Sequence, residues 1–238
     1  MDSIVLFSII ILVAATLQTS TGFGFSIMAT PFLLLIFEPR EAIQINLIAS
    51  LVISCALIAK VRNDIEIGIL KRFISGSLAG LPVGITIFLI MDMTLLKLSI
   101  SILILLLTML LILNFRINQT SKRDFSIGAF SGALTTSIGM PGPPILLYFS
   151  GTNASKEKLR GTTLAFYLFI YLISLLVQIM FAGTTVEIWQ TSAMALPLVV
   201  SGLILGQLIF KHINQQIFRF ITYLLLVFTG FYLLLQQL

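Results

Sequence analysis

The stretch "TTSIGMPGPP", residues 135–144, decides how this chain folds. It lies inside an uncharged run from 125 to 155, long enough to enter a bilayer. Pro141, Pro143 and Pro144 each lack an amide donor and restrict the residue before them, so the run cannot continue as one helix. Only Ile145 to Phe149 remain before the polar "SGTN", a rise of about 8–12 Å even as helix. That arm is too short to cross, which predicts a re-entrant hairpin. A break in hydrocarbon is tolerated only where protein or trapped water surrounds it, so the hairpin tip belongs in the interior of a bundle.

The rest of the chain agrees with a membrane setting. Of 238 residues, 58% are apolar and 10% charged, and the charges are bunched. Uncharged runs occupy 3–37, 42–59, 73–91, 98–115, 125–155, 161–186, 188–210 and 220–238, each long enough to cross or enter a bilayer. The short charged connections leave no room for a soluble domain. The expected fold is all-α and polytopic, one membrane domain over 1–238. "MDSIVLF" at the start is acidic where a cleaved signal would be basic, and reads as a retained membrane segment. Cys55 is the only cysteine, which excludes a disulfide framework within one chain and suggests packing. The net charge of +5 sits in short loops, which fits membrane orientation rather than nucleic-acid binding.

The run 3–37 holds a second interruption, "TSTGFGFS" from Thr19 to Ser26. Its glycines permit a turn and its hydroxyls can cover freed carbonyls. Ser3 to Thr21 is long enough to span, so whether this first hairpin crosses stays open. If both interrupted runs are hairpins and the other six cross once, an outside N-terminus and C-terminus put Lys60, Arg62, Lys71, Arg72, Arg116, Lys122, Arg123, Lys156, Lys158, Arg160, Lys211 and Arg219 inside, with only Arg40 and Lys97 outside. That bias satisfies the positive-inside rule.

The halves also resemble each other. "TSTG" at Thr19 matches "TSIG" at Thr136, 117 positions on. Later the offset becomes 122, aligning Gly80, Gly84, Phe88, Asp92 and Lys97 with Gly202, Gly206, Phe210, Asn214 and Arg219. The expected repeats are 1–114 and 124–238. A hairpin plus three crossings is an odd number of spans, so the second copy is inverted, an arrangement that places a transporter's site near the midplane.

Each broken arm would present unpaired amides and a positive dipole end to a negative ligand. The candidate substrate contacts are Thr19, Ser20, Thr21, Gly22, Gly24, Phe25 and Ser26 in the first break and Thr135, Thr136, Ser137, Gly139 and Gly142 in the second. The competing reading has the glycines permitting close packing and the hydroxyls bonding back to their own helices. Thr163, Tyr167, Tyr171, Ser174 and Gln178 share one helical face, as do Asn46, Ser50 and Ser54, and they either line a cavity or join helices. Gly76, Gly80 and Gly84, with Gly202 and Gly206, have the spacing of close helix packing. Pro82 and Pro197 suggest bends, and Trp189 an interfacial anchor.

All nine acidic residues stand at segment ends or in loops, which offers no deep proton relay, and one histidine argues against a metal enzyme. No Gly-rich loop followed by Lys marks an ATPase. No cofactor is expected.

On "TGFGFSIMATP" and "GALTTSIGMPGPPILLYFSG" the chain resembles the sulfite exporter TauE/SafE family of small prokaryotic membrane transporters. It departs at the first break, where members typically carry Gly-Gly-Gly and this chain has Gly22-Phe23-Gly24-Phe25. The resemblance implies a plasma-membrane exporter of small sulfur-containing anions such as sulfite or organosulfonates, with Thr19 to Ser26 and Thr135 to Pro144 as the broken segments. The residues alone reach only a small anionic solute, carried by alternating access with a proton or sodium as possible coupling ion. A passive channel and a non-transport membrane assembly factor are the alternatives. Oligomeric state is open.

Overall fold

The computed structural model describes residues 2–90, 119–152 and 154–212, with isolated positions between 92 and 113 and between 217 and 235. The expected third crossing of each half, and the matches at Lys97, Asn214 and Arg219, lie outside the described residues or are described only at scattered positions. Among the described residues the chain is all-helical: α1 (Asp2–Thr21), α2 (Phe25–Leu33), α3 (Pro39–Val61), α4 (Ile67–Ile90), α5 (Ser121–Ile138), α6 (Gly142–Gly151), α7 (Lys156–Ala182) and α8 (Val186–His212). A 3-10 turn, Arg62–Asp64, links α3 to α4. α1, α3, α4, α7 and α8 are long and apolar enough to cross a membrane.

The side-chain distribution differs from a soluble protein's on both faces of the helices. Large apolar residues face outward, as with Ile9 and Val13 on α1, Leu172 and Met180 on α7, and Met194, Val200 and Ile204 on α8. Polar residues face inward: Gln18, Thr19, Asn46, Ser50, Ser54, Thr163, Ser174 and Gln178 are fully buried. Lipid solvates the first set, whereas the second needs partners that only other helices supply. Cys55 does not pack in the core. It is exposed, on the outward face of α3 with Ala56 and Ala59, where a weakly polar thiol is tolerated.

Two close helix pairs flank the bundle. On α4, a Cβ added at Gly76 or Gly80 would lie 2.0 Å from the carbonyl oxygen of Phe125 or Ala129 on α5, and one at Gly128 would lie 2.3 Å from that of Phe73. On α8, Gly202 and Gly206 meet Ala15, Thr16 and Thr19 of α1 in the same way, with added Cβ atoms 2.5 Å from side chains. Hydrocarbon gives no solvent-driven attraction between helices, so such backbone proximity and its dispersion energy hold them together. α3 and α7 pack against each other between these pairs. Pro82 and Pro197 lie inside α4 and α8, and Trp189 is exposed.

Both interrupted segments turn back. At the first, the Phe7 ring near the start of α1 packs edge-on at 5.7 Å against Phe37, just beyond α2. At the second, the Tyr148 hydroxyl near the end of α6 donates to Asp124 Oδ1 in the first turn of α5 at 2.6 Å. Arg72 Nε donates to the other Asp124 oxygen, also at 2.6 Å. Asp124 stands at a segment end, as all acidic residues were expected to, yet its side chain is fully buried. Phe73 closes this anchor, its ring 5.4 Å from Tyr148 and 5.6 Å from Phe166.

The hairpins enter from opposite ends of the bundle. Lys158 pairs with Glu66 and Lys60 with Gln207, which gathers the end of α3, the starts of α4 and α7 and the end of α8 beside Asp124. At the other end Gln44 Nε2 donates to the Gly183 carbonyl beyond α7, on the side of Phe7 and Phe37.

Candidate functional site

The first break is three residues, Gly22 to Gly24, between α1 and α2. Gly22 has φ +85, and a Cβ there would lie 2.7 Å from the Arg160 Cα. Backbone conformation and close approach both therefore require glycine. Phe23 and Phe25, the departure from the Gly-Gly-Gly pattern, are buried in the core. The second break is shorter than the proline run suggested. Gly139 ends α5 at φ 71, and α6 begins at Gly142 with Pro143 and Pro144 in its first turn. The prolines fit there because first-turn amides have no helical acceptor to lose.

The two arms are unequal as donors. α2, capped by Gly24, presents the amides of Gly24, Phe25, Ser26 and Ile27, which precede the first helical bond from Met28 to the Gly24 carbonyl. In α6 the corresponding positions are Pro141, Gly142, Pro143 and Pro144, so Gly142 alone contributes; the Ile145 amide is the first within reach of a helical acceptor. α2 is about 14 Å long and α6 about 15 Å, and neither could cross a bilayer.

The arms meet at their N-terminal ends. A Cβ on Gly142 would lie 3.2 Å from Ile27 Cδ1 in the first turn of α2 and 3.0 Å from the Tyr167 hydroxyl. Ser26 Oγ stands 3.4 Å from the Tyr171 hydroxyl, one turn along α7 from Tyr167. Residues 19–26 and 135–142 are all buried, so this meeting point is enclosed by protein.

Hydroxyl chemistry sorts the remaining candidates. Ser20 and Thr21 donate to the Leu17 carbonyl, Thr135 to Ser131 at 2.6 Å and Ser137 to Ala133 at 2.8 Å. Thr136 Oγ1 lies 3.1 Å from the Gly132 carbonyl and 2.8 Å from Ser174 Oγ. A hydroxyl that gives its one proton to its own helix has only lone pairs left, which suits an anion poorly. Tyr167 is different: its hydroxyl is buried without a partner, as are those of Thr19 and Thr163.

Amides from α3 and α7 hold the breaks in place. Asn46 Nδ2 donates to the Gly139 carbonyl at 2.9 Å and Gln178 Nε2 to the Thr136 carbonyl at 2.8 Å. At the first break Arg160 Nε donates to the Thr19 carbonyl at 2.8 Å, with its guanidinium 4.2 Å from the Phe210 ring centroid. By sequence Arg160 counts among the loop charges. It continues the α7 stripe, three residues before Thr163, and that spacing was the available signal. Gln18 Nε2 donates to the Ser50 carbonyl at 3.1 Å, a contact between α1 and α3 that no sequence spacing announces.

A cavity of about 450 Å³ opens away from this point, lined by Glu66, Gln119, Phe149, Thr152, Ser155 and Lys158. It lies at the far end of α6 and shares no residue with the converging tips.

Apolar spans around a buried polar seam, with two interrupted helices meeting inside, define a polytopic helical membrane protein. The chain matches the family described as Sulfite exporter TauE/SafE over residues 7–233. It belongs to that family of membrane anion exporters. Comparison with curated proteins and with solved structures gives no match.

Proposed function

We propose that this protein is a secondary carrier that exports a small sulfur-containing anion, such as sulfite or an organosulfonate, by alternating access around the two hairpin tips. The observation that carries the reading is the contact between the first turn of α2 and Gly142 of α6 beneath the Tyr167 hydroxyl. Amides of Gly24 to Ile27, the Gly142 amide and the Tyr167 proton are donors converging where two positive helix ends coincide. An anion gains from all of these without a buried charge in direct contact. Family membership supports the choice of a sulfur-containing anion.

Inverted repeats fit the contacts. The matched Thr19 and Thr136 both end the first arm of a hairpin, and each carbonyl is held by α7. The pair α1–α8 corresponds to α5–α4 under the offsets 117 and 122. In this reading the end bearing Lys60, Arg72 and Lys158 faces the cytoplasm of a prokaryote, and both termini lie outside. Burial of both breaks favours a carrier, in which access alternates, over a pore.

Counterflow in proteoliposomes tests the proposal. Unlabelled sulfite inside should accelerate entry of labelled sulfite, and Gly142→Val should abolish this while the protein stays in the membrane. Absence of flux or exchange for sulfite, thiosulfate and simple sulfonates would overturn it.

A further inference from the structure

The two hairpins cover equivalent carbonyls with different charge. Thr19 and Thr136 occupy matching positions, 117 residues apart, in the last turns of α1 and α5. The carbonyl of Thr19 accepts from the Arg160 guanidinium, a fixed cation at the negative end of a helix dipole. The carbonyl of Thr136 accepts from the neutral Gln178 amide, and that of Gly139, three residues on, from the neutral Asn46 amide. A backbone carbonyl can only accept, so each amide nitrogen must face it, which turns each amide oxygen elsewhere. Asn46 Oδ1 and Gln178 Oε1 are both buried with no hydrogen-bond partner, on side chains that are fully buried. Two unpartnered oxygens thus flank a negative helix end that lacks the compensating charge present in the other hairpin.

We propose that the C-terminal end of α5 binds a sodium ion, with Asn46 Oδ1 and Gln178 Oε1 as side-chain ligands. The donor set selects this class. Amide oxygens are too weakly basic to hold a proton near neutral pH, and a neutral set without carboxylate suits a monovalent ion better than calcium or magnesium, which recruit carboxylates. The site lies three residues along the chain from Gly142, so cation and anion would occupy the two sides of one break. Each offsets the other's cost of leaving water. The inference deepens the carrier reading by assigning its companion ion, and the following experiment separates the two.

Thermal unfolding of the purified protein in detergent is measured against sodium chloride, with choline chloride at matched ionic strength, and separately against choline sulfite. Sodium should raise the midpoint by about 5 °C or more once it exceeds its Kd a hundredfold, and choline should not. Gln178→Lys, which tethers an ammonium at the site, should lose the sodium response. Should that variant fail to fold, Gln178→Met, which removes the oxygen, is read the same way. Equal midpoints in sodium and choline for the unmodified protein would overturn the proposal, and an unchanged sodium midpoint in the variants would overturn its placement. A sodium response without a sulfite response would count against the anion reading alone.

Discussion

Arg160 closes the broken end of α1: its Nε donates to the Thr19 carbonyl at 2.8 Å, and its Cα lies where a side chain on Gly22 would have to go. One residue of the second half thereby fixes both the charge and the shape of the first break. Arg160→Ala leaves a buried carbonyl without a donor and removes the cation from a dipole end. A loss of about 1–3 kcal/mol is expected. Thermal unfolding in detergent should show it as a lower midpoint, with Arg160→Lys intermediate because an ammonium keeps the charge and loses the planar fork.

The meeting of the hairpin tips depends on the missing side chain at Gly142. Gly142→Ala brings a methyl to 3.0 Å from the Tyr167 hydroxyl and should slow sulfite exchange. Gly142→Val adds two methyls to the same space and should eliminate it. Membrane insertion, read by fractionation, should survive both changes, because α6 is held at its far end by Tyr148 and Asp124.

Two hydroxyl deletions should separate ligand contacts from helix self-bonding. Tyr167→Phe removes a buried hydroxyl that has no partner, so stability should hold or rise slightly. Anion affinity should fall about tenfold, as expected for one hydrogen bond to a charged group. Ser137→Ala removes a hydroxyl already bonded to the Ala133 carbonyl and should change affinity less than about twofold. Ligand titration by thermal shift measures both. Equal losses in the two variants would place the hydroxyl contacts differently.

The α4–α5 seam should be the least tolerant surface. A side chain at Gly80 meets the Ala129 carbonyl oxygen at 2.0 Å, and backbone cannot yield as a side-chain tip can. Gly80→Leu should force the helices apart and cost more than about 3 kcal/mol. Size-exclusion profiles and unfolding midpoints check this, with Leu78→Ala, on the exposed face of the same helix, as the neutral comparison.

Much of the architecture was legible because its causes are local. The prolines at 141, 143 and 144 cannot be hidden inside one helix whatever surrounds them, so the turn-back was readable before any contact was known. The Gly76-Gly80-Gly84 spacing announced a close helix partner for the same reason, though not that the partner would be α5. Asp124 shows the opposite case. Its position at a segment end was plain, but its burial depends on Tyr148 and Arg72, which arrive from α6 and α4.

The sequence by itself determined a helical membrane protein, two interrupted segments, the second of them re-entrant, and the polar faces of α3 and α7. Those follow from backbone restrictions and from the periodicity with which polar side chains recur. Only the tertiary structure decided which donors are free. It showed Ser20, Thr135 and Ser137 bonded to their own helices, brought Gly142 to Ile27 and Tyr167, and set Arg160 against one broken end and neutral amides against the other. A hydroxyl's proton or an amide's oxygen is available only if no neighbour takes it, and the neighbours come from helices distant in the chain.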